Sequence, residues 1–172
     1  MRLGKDLIGK PIYSMTDGRL LGTVKDLYLD QDLELLTGIY MGSEGLIKRK
    51  SLLIARRSIM VFGIDAILAK SSDVVSDDDQ AEEAKHWLRR EELQKREIDT
   101  PGGTKVGTIG DVLLDEEARI SGFSLGKVFV EGPVAESRRI LKGAIIDTGR
   151  DDGVMTVDLS KAEQSEPAKK EE

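Results

Sequence analysis

The sequence predicts an all-β protein built as two small antiparallel β-barrels in tandem, joined by a short helical linker. Three observations carry this. The run Gly18-Arg-Leu-Leu-Gly22-Thr23-Val-Lys-Asp26-Leu-Tyr-Leu29-Asp30 returns 85 positions later as Gly103-Thr-Lys-Val-Gly107-Thr108-Ile-Gly-Asp111-Val-Leu-Leu114-Asp115, with six residues unchanged. Short apolar runs punctuated by Gly, Asp and Pro fill both copies, which is the spacing of small β-barrels. Between the copies the composition shifts to a charged, alanine-containing stretch. A repeat of this length describes one structural unit made twice.

The expected division is barrel 1 over residues 1–72, a helical linker over 73–92, barrel 2 over 93–159 and a disordered tail over 160–172. In the first unit Leu7–Tyr13 opens a hairpin. Asp17-Gly18 turns it, because both residue types tolerate positive φ. The second strand runs from Leu20 to about Asp30, a charged turn follows at Gln31-Asp32, and strands are expected at Leu35–Ser43, Leu46–Ala55, Ser58–Phe62 and Ala66–Leu68. Strict alternation fails in the second strand: Val24 cannot share a face with Leu27 and Leu29, nor Ile109 with Val112 and Leu114, without one extra residue. A β-bulge near Asp26 and Asp111 resolves both conflicts and supplies the bend a small barrel needs.

Ser76–Glu92 is the strongest helix signal. Ser76 is placed to cap it, Asp77–Asp79 suit the positive end of the dipole, Lys85, Arg89 and Arg90 suit the negative end, and Ala81, Ala84 and Leu88 form a stripe. The second unit repeats the strand order, with Leu93–Asp99, a turn at Thr100-Pro101-Gly102-Gly103, a strand to Asp115 and another at Ile120–Val130. From Ser160 onward the tail lacks apolar content, the composition of a disordered segment.

Composition narrows the function. The 172 residues carry 39% hydrophobic and 34% charged side chains, the make-up of a soluble globular chain. Units this small bury only about 60% of their unfolded surface, so a homo-oligomer is an expected way to gain core. A net charge of -6 argues against nucleic acid as a partner. The absence of cysteine removes thiolate chemistry and Cys-type zinc sites and fits a cytoplasmic location. Lys5, Asp6 and Lys10 interrupt the amino terminus before any signal-peptide run, and the longest apolar stretch, Ser58–Ala69, is about half a bilayer span, so a membrane role would be peripheral.

No motif points to catalysis, a cofactor or a metal. Gly102–Gly107 lacks the Gly-Lys-Ser/Thr ending of a phosphate loop and aligns with the Asp17-Gly18 turn. Asp26 and Asp30, with Asp111 and Asp115, pair carboxylates on each second strand. Their duplication favours bulge and turn hydrogen bonds over an active site. Asp147, Asp151 and Asp152 miss the spacing of a calcium loop, and the single histidine, His86, has no second histidine or cysteine to complete a site. The candidate partner-binding residues are Lys48, Arg49, Lys50, Arg56 and Arg57, the concentrated basic patch, and Trp87, the sole tryptophan. Arg138 and Arg139 occupy a comparable region of the second unit.

Three stretches resemble the PRC-barrel, the small barrel named after the photosynthetic reaction centre: Ile8–Ile12 (Ile-Gly-Lys-Pro-Ile), Gly18–Asp26 (Gly-x-x-x-Gly-x-Val-x-Asp) and Ile59–Ile67 (Ile-x-x-x-Gly-x-Asp-Ala-Ile). The second copy keeps Gly103, Gly107, Ile109 and Asp111 but opens with Leu93-Gln94-Lys95-Arg96-Glu97. The resemblance implies a non-enzymatic adaptor or assembly module that binds a protein partner through its barrel surfaces. Such barrels occur in the cytoplasmic part of the reaction-centre H subunit and at the carboxy end of a ribosome maturation factor. Two alternatives follow by analogy: a peripheral component of a membrane or photosynthetic electron-transport complex, and a ribosome or RNA assembly factor. This chain has neither the transmembrane helix of the one nor the distinct amino-terminal domain of the other, so neither specific role transfers.

Overall fold

The structure is a computed structural model and describes residues 1–164. The first half contains β1 (Arg2–Leu3), β2 (Pro11–Ser14), β3 (Leu20–Thr23), β4 (Asp26–Leu29), β5 (Leu36–Glu44), β6 (Lys50–Ala55), β7 (Ile59–Phe62) and β8 (Ile67–Ala69). A connecting stretch contributes β9 (Ser76–Asp77), β10 (Leu88–Arg89) and the one-turn helix α1 (Arg90–Leu93). The second half contains β11 (Glu97–Asp99), β12 (Lys105–Leu114), β13 (Ile120–Val128), α2 (Pro133–Ser137), β14 (Arg139–Leu141), β15 (Ile145–Asp147), β16 (Val154–Val157) and α3 (Leu159–Gln164).

The protein is mainly β, but its sheets are open. The strands of the first half run in the orders β3-β2-β8-β7 and β10-β4-β5-β6-β9, and those of the second in the order β14-β13-β12-β11-β16-β15, and none of these hydrogen-bonded orders closes on itself among the described residues. In the first half β3 and β4 part at Val24-Lys25. In the second half β12 stays continuous and absorbs the same irregularity as a register shift between Ile109 and Asp111. The expected bulge is therefore present in the second copy, while in the first a break between β3 and β4 takes its place; either way Val24, Leu27 and Leu29, like Ile109, Val112 and Leu114, all reach the core.

Turn chemistry repeats as well. Asp17 accepts the Arg19 N–H at 3.0 Å while Gly18 takes φ +71°, closing the first hairpin. Asp30 accepts the N–H groups of Glu34 and Leu35 (2.8 and 2.9 Å), and Asp115 those of Glu117 and Arg119 (both 2.9 Å). These strand-end aspartates pin turns whose tips, Leu33 and Ala118, hold φ of 54° and 59°.

The connection departs from the expected helix over 73–92. Ser76, expected as a helix cap, pairs instead with Leu53 in β9, and Asp77 pairs with Leu52. A 3-10 turn at Glu82–His86 follows, then β10 and α1. In a 3-10 turn every third side chain stacks, so Ala81, Ala84 and Trp87 fall on one side. There they pack with Tyr28, Tyr40 and Leu53 on the outer face of the β4-β5-β6 sheet. Tertiary packing has overridden helix propensity.

The opening segments of the two halves are exchanged. β1 pairs antiparallel with β12 (Arg2 with Leu114, Leu3 with Leu113), while β10 pairs with β4 (Leu88 with Leu29, Arg89 with Tyr28). Each crossing strand leads into a short turn capped by a carboxylate three residues on: the Leu3 N–H donates to Asp6 (3.0 Å) and the Arg89 N–H to Glu92 (2.7 Å). An isolated bridge between Leu35 and Arg119 joins the two β-turns. One apolar cluster runs through both halves, including Leu7, Leu27, Leu36, Leu93, Val112 and Phe123. The disordered tail expected from residue 160 is contradicted at its start, since Ser160–Gln164 lie in α3 with Ala162 buried; the rest of that expectation, residues 165–172, falls outside the described residues.

Candidate functional site

Two surfaces collect the residues singled out by sequence. The first is the β5-β6 hairpin. The strand expected from Leu46 begins only at Lys50, and residues 45–49 form its tip, with Leu46 and Ile47 wholly exposed at 104% and 102%. The hairpin presents two adjacent aliphatic side chains to solvent directly before three cations.

The basic residues do not form one free patch. Lys50 lies 2.9 Å from Asp79 and 3.8 Å from Asp77, and Lys48 lies 4.0 Å from Asp79. The hydrogen bond to Asp79 and the charges of Asp79 and Asp77 raise the Lys50 pKa; reciprocally, Lys50 and Lys48 lower that of Asp79. Arg49 is exposed and makes no ion pair or hydrogen bond among the described residues. Arg56 and Arg57 follow the other end of β6, roughly 20 Å along an extended strand. Arg57 pairs with Glu83, and Arg56 donates to the Glu117 carbonyl in the second half.

Trp87 is half-buried. Its ring lies 5.7 Å from that of Tyr28, which meets Tyr40 edge-on at 6.0 Å, and the Arg89 guanidinium sits 3.9 Å over Tyr40. Gly38 makes room for the indole: a Cβ there would lie 3.1 Å from Trp87 Cζ3 and 2.9 Å from the Ile54 carbonyl. Trp87 thus fastens the connecting stretch to the first half, and it could meet a partner only if that stretch lifted.

The second surface is internal and lies where the exchanged segments cross. Asp26 and Asp111 are 2% and 5% exposed. Each accepts the N–H of its own successor, Leu27 at 2.9 Å and Val112 at 2.7 Å. Each also accepts an N–H from the crossing segment, Glu91 at 3.3 Å for Asp26 and Lys5 at 2.9 Å for Asp111. Arg90 donates Nε and Nη2 to Asp111 (2.6 and 3.0 Å) and approaches Asp26 at 4.0 Å, while Arg89 reaches Asp26 at 3.3 Å. Burial works against the Arg90 charge, yet the hydrogen bonds and charge of Asp111, with Asp26 beyond, leave its pKa raised. All four carboxylate oxygens have donors, so this pair is a structural clasp rather than a free acid-base couple. Helix-dipole reasoning missed the role of Arg89 and Arg90, whose signal lay in their position just ahead of the second opening segment.

In the acidic loop of the second half, Asp147 accepts the Gly149 N–H (2.8 Å) and Asp152 the Val154 N–H (3.0 Å), both as turn fixtures. Among the described residues no group of three or more His, Cys, Asp or Glu could hold a metal. His86 is exposed, and its carbonyl accepts from Gln31.

The family model of the PRC-barrel domain matches residues 1–78. This segment is a PRC-barrel domain. No curated protein matches the chain. The PRC-barrel match runs past the expected boundary at residue 72 and takes in β9, the strand that closes the edge of the hairpin sheet. The candidate basic residues all lie within the PRC-barrel, whereas Trp87 and the two clasp arginines lie beyond it. No helix among the described residues is long and apolar enough to cross a membrane.

Proposed function

We propose that the protein is a non-enzymatic, cytoplasmic assembly module, a tandem PRC-type arrangement that binds another macromolecule through the surface of its PRC-barrel domain. The carrying observation is the β5-β6 tip, where Leu46 and Ile47 stand fully in solvent beside Arg49, which has no partner among the described residues. The repeated carboxylates support a non-catalytic reading, since hydrogen bonds to backbone and arginine occupy them in both copies. A protein partner suits the mix of apolar and cationic groups at the tip.

The same tip favours one further reading, a peripheral place on an anionic membrane or a membrane-bound electron-transport complex. Adjacent aliphatics enter the headgroup layer while neighbouring cations meet its charge. Cell fractionation with in-cell crosslinking distinguishes the readings. Recovery of a crosslinked protein in the soluble fraction supports the adaptor, salt-released pelleting supports the membrane reading, and co-sedimentation with ribosomal particles would favour RNA assembly. A Leu46→Ser, Ile47→Ser, Lys48→Glu, Arg49→Glu variant should lose the association with its melting temperature unchanged, because none of these side chains is buried. Full retention of the association would overturn the hairpin as the contact.

A further inference from the structure

We infer that the outer face of the second half is a docking groove for an extended acidic peptide, the external counterpart of the chain's own Ser76–Trp87 segment. The inference rests on the reading of this protein as a binding module and adds a site and a ligand chemistry to it.

The argument comes from internal pseudo-symmetry. The pairs Leu88–Leu29 and Arg89–Tyr28 correspond to Arg2–Leu114 and Leu3–Leu113, and the pair Tyr40–Leu53 corresponds to Ser124–Arg139. In the first half, the face formed by Tyr28, Tyr40 and Leu53 is covered. β9 occupies the outer edge of β6, and the chain then crosses the face with Ala81, Ala84 and Trp87 before entering β10. In the second half, the matching positions are Leu113, Ser124 and Arg139, and Met1 stands where Trp87 would. There the face carries a cavity of about 500 Å³, bounded by Met1, Leu113, Ser124, Leu125, Arg138 and Arg139. β14 ends its sheet, and no described strand pairs with its outer edge.

The chemistry of the covered face tells what fits the open one. An unpaired edge takes an extended peptide by main-chain pairing, as β6 takes β9. In the first half the incoming segment is acidic: Asp77 and Asp79 meet Lys50, and Asp78 accepts the Ser51 N–H at 2.7 Å. In the second half Arg138, Arg139 and Lys5 outnumber the lining acid Asp6 three to one and give the groove the same sign. Leu113 and Leu125 supply an apolar floor for one aliphatic or aromatic anchor, the part Trp87 plays opposite Tyr28.

The probe is a fluorescein-labelled peptide of residues 76–87, titrated into the full chain and read by anisotropy. Saturable binding is expected. It should weaken at least tenfold in Arg139→Glu, which reverses the groove charge, and in Ser124→Trp, which fills the groove and leaves the charge in place. Lys70→Glu, an exposed charge reversal in the first half, should leave it unchanged. A photo-crosslinker at the peptide's tryptophan position should label the second half around Leu113. Absence of saturable binding, retention of affinity in both groove variants, or labelling of the Tyr28 face overturns the inference. Binding that appears only after removal of residues 165–172 would make the chain's own tail the occupant and overturn a partner in trans. If the peptide fails while hairpin-dependent crosslinking to another protein persists, the groove is wrong and the binding-module reading stands.

Discussion

Asp111 receives donors from three places: Val112 beside it, Lys5 from the exchanged amino terminus, and Arg90 from the connecting stretch. Replacing Asp111 by Asn would leave the Arg90 guanidinium, whose side chain is 12% exposed, without its anion. Breaking a buried pair on one side costs about 3 kcal/mol. Asp26→Asn should cost about 1 kcal/mol, the scale of a single hydrogen bond, because its arginine contacts are longer and Arg89 is 29% exposed. Urea denaturation of the two variants measures the asymmetry. Tyr28 makes a separate prediction. Burial, followed by weaker charge effects of either sign, raises its pKa above the ordinary 10.0. The folded state therefore holds the phenol neutral after the unfolded chain has begun to ionise. That stabilisation is complete below pH 10 and is lost as pH rises through the folded pKa. Between pH 9 and 11 the wild type should lose melting temperature faster than Tyr28→Phe, and parallel curves would contradict this.

At the scale of elements, the stretch over residues 76–89 shows where the sequence could be read and where it could not. Its acids and alanines satisfy helix rules locally, and the stripe of Ala81, Ala84 and Leu88 is a reasonable helical face. The period of three joining Ala81, Ala84 and Trp87 also fits a 3-10 turn, and the choice between them was made by a receptive face of Tyr28, Tyr40 and Leu53 that lies far away in sequence. The irregularity of the second strand, by contrast, was legible, because Val24 against Leu27 and Ile109 against Val112 break alternation within a few residues; it takes the form of a bulge in β12 and of a break between β3 and β4. So were the turn aspartates, whose hydrogen bonds reach only two to five residues along the chain. The Lys50 contacts with Asp77 and Asp79 were not, since 27 to 29 residues separate the partners. Gly38→Ala tests the seating of this element. A Cβ pressed between the Ile54 carbonyl and the Trp87 ring should destabilise by about 1–3 kcal/mol. It should also shift Trp87 emission to the red as the indole gains water, while unchanged emission would mean that Trp87 is not held by this face.

For the whole molecule, the duplication is better described as a fused pair than as two beads on a linker. Each half lends its opening strand to the other, the Asp26 and Asp111 clasp sits where the loans cross, and the apolar cluster ignores the boundary. This resembles an isologous dimer made within one chain, where residue i of one half meets residue j of the other and the reverse. It also answers the small-core problem posed by the length of each unit, since two marginal cores become one. The asymmetry then acquires meaning. The first half has its sheet face covered by the connecting stretch, while the second presents the matching face and a β14 edge that no described strand pairs. Differential scanning calorimetry of the full chain tests the shared core most directly. A single transition whose calorimetric and van't Hoff enthalpies agree is the predicted result, whereas two separable transitions, one for each half, would contradict it.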